Sequence, residues 1–230
     1  MTQNNNKLVA HQEEWERVTK ELESENFKLM SYDNTLISLF RNVHGKNVLD
    51  YGAGPGVLAL AVAKLGGKIK VYDLNQEMRA KAGEKIGMEN VYEAVEKIPD
   101  GAFDIIICNL VLCIVPEAEV YNIVQNIKQK LHPDGRVYVG FCNPRIFEVK
   151  ESNLDFRFPT GESYETNHDY KKIKKEGNYE IIESHRPIEW YDRVYEKYGL
   201  ELVAKHFTPE YELKGDYIKD FIIFELKHYT

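Results

Sequence analysis

The residues best suited to chemistry are an acidic side chain and three alternate glycines within seven positions of this 230-residue sequence. Asp50 ends an apolar run, and the glycines follow it in the order DYGAGPG. Glycines at this spacing let a ligand approach the backbone closely. A dinucleotide site would need Gly-x-Gly-x-x-Gly, whose last position here is Val57. The pattern disfavours a pyrophosphate site, and the Asp50 carboxylate suits a ligand with a positive ammonium group.

Two further polar residues end apolar runs downstream. Asp73 closes the segment VYD, and a carboxylate at a strand end can accept hydrogen bonds from both hydroxyls of a ribose. Asn109 closes FDIIICN, where it either satisfies a turn or lines a reaction site. Open α/β sheets bind ligands at the carboxyl ends of their strands, so the three positions predict one site.

From Lys46 onward, short apolar runs alternate with helical stretches, which is typical of βα units around a parallel sheet. The alternation predicts strands at 47–50, 68–73, near 91, 103–109, 136–142, 200–206 and 221–227, and helices at 57–64, 76–86, 118–131 and 188–198. A turn is predicted at 132–135, where the sequence is His-Pro-Asp-Gly.

The start of the chain is polar but carries apolar residues at helical spacing, which predicts an amphipathic helix containing Trp15, Val18 and Leu22. Asp33 is then predicted as the N-cap of a second short helix that ends near Gly45.

After residue 143 the alternation stops for about forty residues, too long for an ordinary connection, and a lid is predicted. Its aromatic residues either line a substrate pocket or form the core of the lid: Phe147, Phe156, Phe158, Tyr164 and Tyr170. The basic run Lys171, Lys172, Lys174 and Lys175 is predicted as a solvated face.

The motifs resemble those of a known family. Residues 48–56 resemble motif I of the class I S-adenosylmethionine-dependent methyltransferases, and Asp73 stands at that family's second acidic position. Residues 103–109 with Leu112 resemble its fourth-strand motif, and residues 132–139 its fifth. His185-Arg186-Pro187 and the helix after it are similar to a segment of small-molecule enzymes of the ubiquinone-biosynthesis (type 11) group.

The resemblance, which covers about residues 32–227, implies a Rossmann-like three-layer α/β/α fold. Its sheet would have seven mainly parallel strands with an antiparallel last strand. The implied single domain has N-terminal helices (1–44), a cofactor-binding core (45–143), a substrate lid inserted after strand 5 (144–186) and a C-terminal helix with strands (187–230). S-adenosyl-L-methionine would be bound by Tyr32, Asp50, Gly52, Ala53, Gly54, Gly56, Asp73, Leu74, Ala94, Val95 and Asn109.

Two departures from the family pattern affect the site. Many relatives have an Asp that binds the adenine amino group where this chain has Ala94, so backbone groups at Ala94 and Val95, or the side chain of Glu93, are the alternatives. Relatives often have His where this chain has Cys113. No catalytic base is assigned; His185 and Tyr32 are candidates, and a packing role is the alternative for both.

Composition limits the partners and the compartment. A net charge of -7 disfavours nucleic acid, and no apolar run approaches the roughly 20 residues that span a membrane. The N-terminus lacks a secretory signal, and the three cysteines (Cys108, Cys113, Cys142) lack metal-type spacing, so we expect buried thiols, a cytoplasmic protein and no bound metal. The sequence leaves both a monomer and a homodimer as alternatives.

The sequence thus predicts a methyltransferase acting on a small molecule, with N, O, S or C as the accepting atom. A tRNA or protein methyltransferase is the alternative among enzymes. A non-catalytic cofactor-binding module and a nicotinamide-dependent oxidoreductase are the alternatives from other classes.

Overall fold

A seven-stranded sheet forms the centre of the molecule in the computed structural model, which describes residues 31–40, 42–149, 160–174 and 179–229. Its strands are β1 (Asn47–Tyr51), β2 (Lys68–Tyr72), β3 (Val91–Tyr92), β4 (Phe103–Asn109), β5 (Leu131–Cys142), β8 (Leu200–Phe207) and β11 (Phe221–His228). They lie in the order β3-β2-β1-β4-β5-β11-β8. Only β11 is antiparallel to its neighbours β5 and β8, as predicted.

Within the described ranges, five helices surround the sheet: α1 (Ser31–Leu39), α2 (Val57–Lys64), α3 (Gln76–Ile86), α4 (Glu117–Lys130) and α5 (Ile188–Lys197). Local chemistry sets their ends. The Asn75 side chain caps α3 by accepting hydrogen bonds from the N–H groups of Glu77 and Met78, and Gly87 follows its last residue. Short 3-10 turns lie at Met88–Asn90, Val95–Lys97 and Pro144–Glu148.

Each face of the sheet has its own apolar core because successive side chains of a strand point to opposite faces. In β4, Ile106 packs with residues of α4 and α5, such as Val124 and Tyr191. Its neighbours Ile105 and Ile107 pack with α1 and α2 on the other face. The result is the three-layer α/β/α arrangement that was predicted.

Two predictions about local structure were wrong. Helix α1 begins at Ser31, so Asp33 lies in its first turn instead of capping it, and the helix ends at Leu39, not near Gly45. The predicted turn at 132–135 belongs to β5. The pairing with β4 shifts there from Phe103↔Leu131 to Ile105↔Arg136, because the extra residues bulge out of the ladder.

Two hairpins form a cap: the first follows β5 in the chain, and the second lies between β8 and β11. Strands β6 (His168–Lys174) and β7 (Tyr179–His185) pair antiparallel, as do β9 (Tyr211–Leu213) and β10 (Asp216–Ile218). The hairpins meet in a small separate core of Ile146, Phe147, Tyr170 and Ile218. Phe147 and Tyr170 therefore contribute to the core of the cap.

Several predictions lie outside the described part of the chain. They concern the helix with Trp15, Val18 and Leu22, the lid residues Phe156 and Phe158, and the side chains of the basic run at 171–175. Within the described ranges, no helix combines the length and hydropathy needed to cross a membrane. All three cysteines are buried thiols, as expected.

Candidate functional site

The predicted polar residues meet where the order of the sheet reverses. Strand β1 lies between β2 and β4, so the chain connections on its two sides lead in opposite directions and leave a crevice at the carboxyl edge. Asp50 is the next-to-last residue of β1, Asp73 directly follows β2, and Asn109 is the last residue of β4. The sheet topology therefore brings these three side chains to one edge.

The loop after β1 is held against β2 by its own backbone. The N–H groups of Gly52 and Ala53 both donate to the Tyr72 carbonyl, at 2.7 and 3.1 Å. Gly56 has a φ of 77°, and a Cβ there would lie 2.8 Å from the backbone of Ala82. Gly54 also has a positive φ of 52°, but a Cβ there would meet no atom within 4 Å. Gly56 is thus needed for packing, whereas Gly54 faces open space in which a ligand could approach.

The Asp73 carboxylate organises this loop. One oxygen accepts a hydrogen bond from the Gly54 N–H at 2.8 Å, and the other from the Asn75 N–H at 2.9 Å. Each carboxylate oxygen has two lone pairs, so one on each remains for a ligand hydroxyl. Arg79 binds the carbonyls of Asp73 and Leu74, and the Leu74 side chain next to it is 57% exposed.

Asp50 is a buried carboxylate that lacks a counter-charge. Only 1% of the residue is exposed, and its Oδ2 has no hydrogen-bond partner among the described residues. Burial, together with the nearby carboxylates of Asp73 and Asp33, raises the pKa of Asp50 to about 7. A cationic group beside it would favour the ionised form.

The segment after β4 turns over the glycine loop. Asn109 has a buried Oδ1 without a partner among the described residues. Leu110 has a φ of 57°, which is uncommon for a residue with a side chain, and its N–H donates to the Gly140 carbonyl at 2.8 Å. Val111 packs directly on Gly52, where any side chain would overlap it. The backbone after β4 thus forms one wall of the crevice.

Tyr32 reaches the same edge from α1. Its ring lies 4.7 Å from that of Phe221, and its hydroxyl fills the space that a side chain on Gly140 would occupy. This hydroxyl is also buried without a hydrogen-bond partner among the described residues. Burial raises the pKa of Tyr32 well above its usual value, and the neighbouring Asp33 and Cys113 add to the effect.

The predicted adenine contacts lie after β3. Ala94 precedes a 3-10 turn, in which its carbonyl accepts from the Lys97 N–H and the carbonyl of Val95 accepts from the Ile98 N–H. The exposed Glu93 forms an ion pair with Lys97. The two carbonyls and the carboxylate are therefore engaged within the protein.

His185 lies in the cap at the end of β7. It is 2% exposed, and its Nε2 lies 2.9 Å from the Tyr164 carbonyl, so Nε2 carries the proton of the neutral ring. Burial, together with the neighbouring His168 and Arg186, lowers the pKa of His185 to about 4. The ring is neutral at physiological pH and is a weak base.

Two charged residues near the crevice were not predicted as part of it. Asp33 was interpreted only as a helix cap, although it lies close enough to Asp50 and Tyr32 to raise both of their pKa values. Arg186 was interpreted as part of a family segment, but its guanidinium binds two carbonyls of the loop after β4. Neither contact has a local sequence signal, since both join distant parts of the chain.

These observations fit a ligand with a positive charge and hydroxyl groups. Three predicted residues (Tyr32, Asp50 and Asn109) each keep a buried polar atom that has no hydrogen-bond partner in the described part of the chain. Asp73 keeps lone pairs for hydroxyl donors, and the backbone at Gly54 is open. S-adenosyl-L-methionine has a sulfonium, an ammonium group and a ribose, so the donor and acceptor set is compatible with it.

The sheet order, the glycine loop and the acidic strand ends define the class I methyltransferase fold. A solved structure agrees: the 1,6-didemethyltoxoflavin-N1-methyltransferase of Burkholderia thailandensis, bound to 1,6-didemethyltoxoflavin and S-adenosylhomocysteine, superposes with a TM-score of 0.67. The match covers 100% of this chain and 92% of that one at 13% identity, which supports the fold alone.

Sequence comparison identifies the domain within this fold. The family described as a methyltransferase domain matches residues 49–139. The ubiquinone biosynthesis O-methyltransferase of Cupriavidus pinatubonensis is 29% identical over 110 residues, covering 44% of this chain and 43% of the relative. The ribosomal protein L11 methyltransferase of Clostridium botulinum is 30% identical over 132 residues, covering 49% and 40%.

Residues 49–139 therefore match a methyltransferase domain, and the fold is that of S-adenosylmethionine-dependent methyltransferases, in agreement with the resemblance inferred from the motifs. The chain spans less than half the length of these curated relatives.

Proposed function

We propose that this protein is an S-adenosyl-L-methionine-dependent methyltransferase that acts on a small molecule. The observation that carries the proposal is Asp50, a carboxylate with 1% exposure whose Oδ2 has no hydrogen-bond partner among the residues that the structure describes. A buried anion without a counter-charge is costly unless a ligand supplies one. The ammonium group of the cofactor is such a charge.

The remaining candidate residues take complementary roles in this proposal. Asp73 accepts hydrogen bonds from the ribose hydroxyls while its two existing backbone bonds hold the glycine loop in place. The backbone of Gly52, Ala53, Gly54 and Gly56 lies against the cofactor, and Leu74, Ala94 and Val95 border its adenine. Tyr32 and Asn109 enclose the end that carries the methyl group.

The protein's part in the reaction is alignment. When bound, the cofactor would supply a methyl group bonded to a positively charged sulfur. The neutral thioether that remains after transfer is an intrinsically good leaving group. Tyr32, Asn109 and the wall formed by Leu110 and Val111 orient the acceptor and exclude water. Proximity and orientation of this kind contribute about 7–11 kcal/mol in the best cases. His185 is a weak base, so an acceptor that needs little deprotonation suits the site best.

Several features support a small-molecule acceptor in the cytoplasm. The cap closes over the carboxyl edge with apolar and aromatic residues, and the net charge of -7 disfavours RNA. The three free, buried thiols suit a reducing compartment. A protein acceptor is the second candidate, because a ribosomal protein methyltransferase is among the relatives.

Isothermal titration with S-adenosylhomocysteine and, separately, with NAD tests the cofactor. We expect binding of S-adenosylhomocysteine alone, and binding of NAD alone would refute the proposal. Methyl transfer from labelled cofactor to a metabolite panel, with recombinant ribosomal protein in a parallel reaction, then separates the two acceptor classes. Labelled protein without labelled metabolites would favour the second candidate.

A further inference from the structure

A small cavity lies beside the crevice, between the end of β5, the cap and the start of α5. Cys113, Cys142, Phe147 and Tyr170 are among the residues that line it. The Tyr32 hydroxyl packs against Gly140 of β5, and Cys142 lies two positions further along the same strand, so the cavity adjoins the end of the crevice that Tyr32 closes. In this conformation it has room for little more than a water molecule.

Arg186 also lines this cavity, and its guanidinium is held in a fixed position. Nη1 donates to the Leu112 carbonyl at 2.9 Å and Nη2 to the Val115 carbonyl at 2.7 Å. The guanidinium also lies over the Trp190 ring, 5.2 Å from its centroid. These contacts orient the charge without neutralising it.

The charge of Arg186 is buried, since the residue is only 3% exposed. Among the described residues its guanidinium contacts two carbonyls and the Tyr191 hydroxyl, and it forms no ion pair with a carboxylate. Glu183, three positions earlier, instead accepts a hydrogen bond from the Tyr170 hydroxyl at 2.6 Å. Buried arginines are normally paired with an anion, because an unpaired charge loses its hydration.

The other residues around the cavity do not supply that anion. The lining includes no aspartate or glutamate, and burial raises the pKa values of Tyr170 and Tyr191, which keeps both hydroxyls protonated. Arg186 also lies two residues before the start of α5, whose N-terminal end adds positive potential. Of its five N–H groups, Nε–H and one on Nη2 have no partner among the described residues, and such a pair can bind a carboxylate.

We propose that this cavity receives the methyl acceptor, and that the acceptor joins an aromatic or similarly flat apolar body to a carboxylate or comparable anion paired with Arg186. The inference rests on the proposed function, since it places the acceptor beside the cofactor crevice. The aromatic lining contacts the flat body, and the two-hairpin cap moves outward to admit it.

The test compares two probes of nearly equal shape, benzoate and the uncharged benzamide. Their dissociation constants are measured by ligand-observed NMR on the full chain saturated with S-adenosylhomocysteine. We expect benzoate to bind at least about tenfold more tightly than benzamide. In Arg186→Gln the two constants should agree within about twofold, and Arg186→Lys should keep part of the preference because it keeps the charge.

Arg145→Gln is the matched control. Arg145 also belongs to the cap region, but it forms ion pairs with Glu148 and Glu189 and does not line the cavity. This variant should keep the full preference for benzoate. If Arg186→Gln fails to fold, the wild-type ratio and Arg186→Lys still decide the question.

The possible outcomes separate the two proposals. Equal binding of both probes to the wild type, binding of neither, or a preference that survives in Arg186→Gln would overturn the assignment of Arg186. Failure of S-adenosylhomocysteine to bind in the preceding titration would instead overturn the proposed function. Methyl transfer to an anionic member of the metabolite panel would support both.

Discussion

Replacing Asp50 with asparagine should stabilise the ligand-free protein while weakening cofactor binding. The pKa of Asp50 is raised to about 7 in the folded protein, against about 3.9 in an unfolded chain. Between these values the folded state holds a proton that the unfolded state has lost, so stability falls as the pH rises from about 4 to 7. The destabilisation reaches about 4 kcal/mol at pH 8 and about 1.5 kcal/mol at pH 5.

Asp50→Asn removes this ionisation while nearly keeping the shape of the side chain. Its Tm advantage over the wild type should therefore be larger at pH 8 than at pH 5, by at least about 5 °C for a chain of this size. Differential scanning fluorimetry without ligand measures it. Asp134→Asn, at an exposed carboxylate, is the control and should show no such change. An Asp50→Asn advantage that is equal at both pH values would refute the reasoning.

The Asp50 carboxylate also predicts how the affinity for the cofactor depends on pH. The ionised form of Asp50 is required to pair with the ligand ammonium, so S-adenosylhomocysteine should bind about 25-fold more weakly at pH 5.5 than at pH 7.5. Asp50→Asn should bind more weakly throughout and lose this dependence. Isothermal titration at both pH values checks the prediction, and an equally steep dependence in the variant would contradict it.

Three other predictions concern neighbouring residues. Asp73→Ala should weaken binding of S-adenosylhomocysteine by roughly 1.5–3 kcal/mol for each ribose hydrogen bond lost, measured by titration; unchanged affinity would remove Asp73 from the site. Gly54→Ala should lower the affinity for S-adenosylhomocysteine more than the Tm, because its Cβ enters the open space proposed for the ligand, whereas Gly56→Ala should lower the Tm because its Cβ overlaps Ala82. A larger loss of Tm in Gly54→Ala than in Gly56→Ala would contradict this. Tyr32→Phe should keep or raise the Tm, since it removes a buried hydroxyl without a protein partner, and a clear drop would show that the hydroxyl is bonded.

Much of the fold was predictable because its signals are local. The apolar run 103–109 and the helix 76–86 were predicted at the bounds that the structure has. The seven-stranded, mainly parallel sheet with an antiparallel last strand followed from the family resemblance. The bulge in β5 was missed because Pro133 and Gly135 indicate a turn. The residues on both sides of them pair with β4, which keeps this stretch within the strand.

The hairpins of the cap were not predicted. The segment 168–185 is rich in charged residues and its alternation is weak, so its pairing depends on contacts with the core of Phe147 and Ile218. The second hairpin, β9–β10, has strands of only three residues, which leave no periodic pattern to recognise.

The sequence alone indicated the class of protein and predicted a ligand crevice after the first strand, because a glycine loop between a strand and a helix needs particular residue types at fixed spacing. It determined that Asp50 and Asp73 would lie at strand ends. Tertiary structure decided the electrostatic environment of those carboxylates. Packing between distant segments of the chain brings Asp50 and Asp73 together and, among the described residues, leaves Asp50 Oδ2 without a hydrogen bond and Arg186 without an ion pair. The electrostatic cost of a charge depends on this packing, which no local pattern encodes.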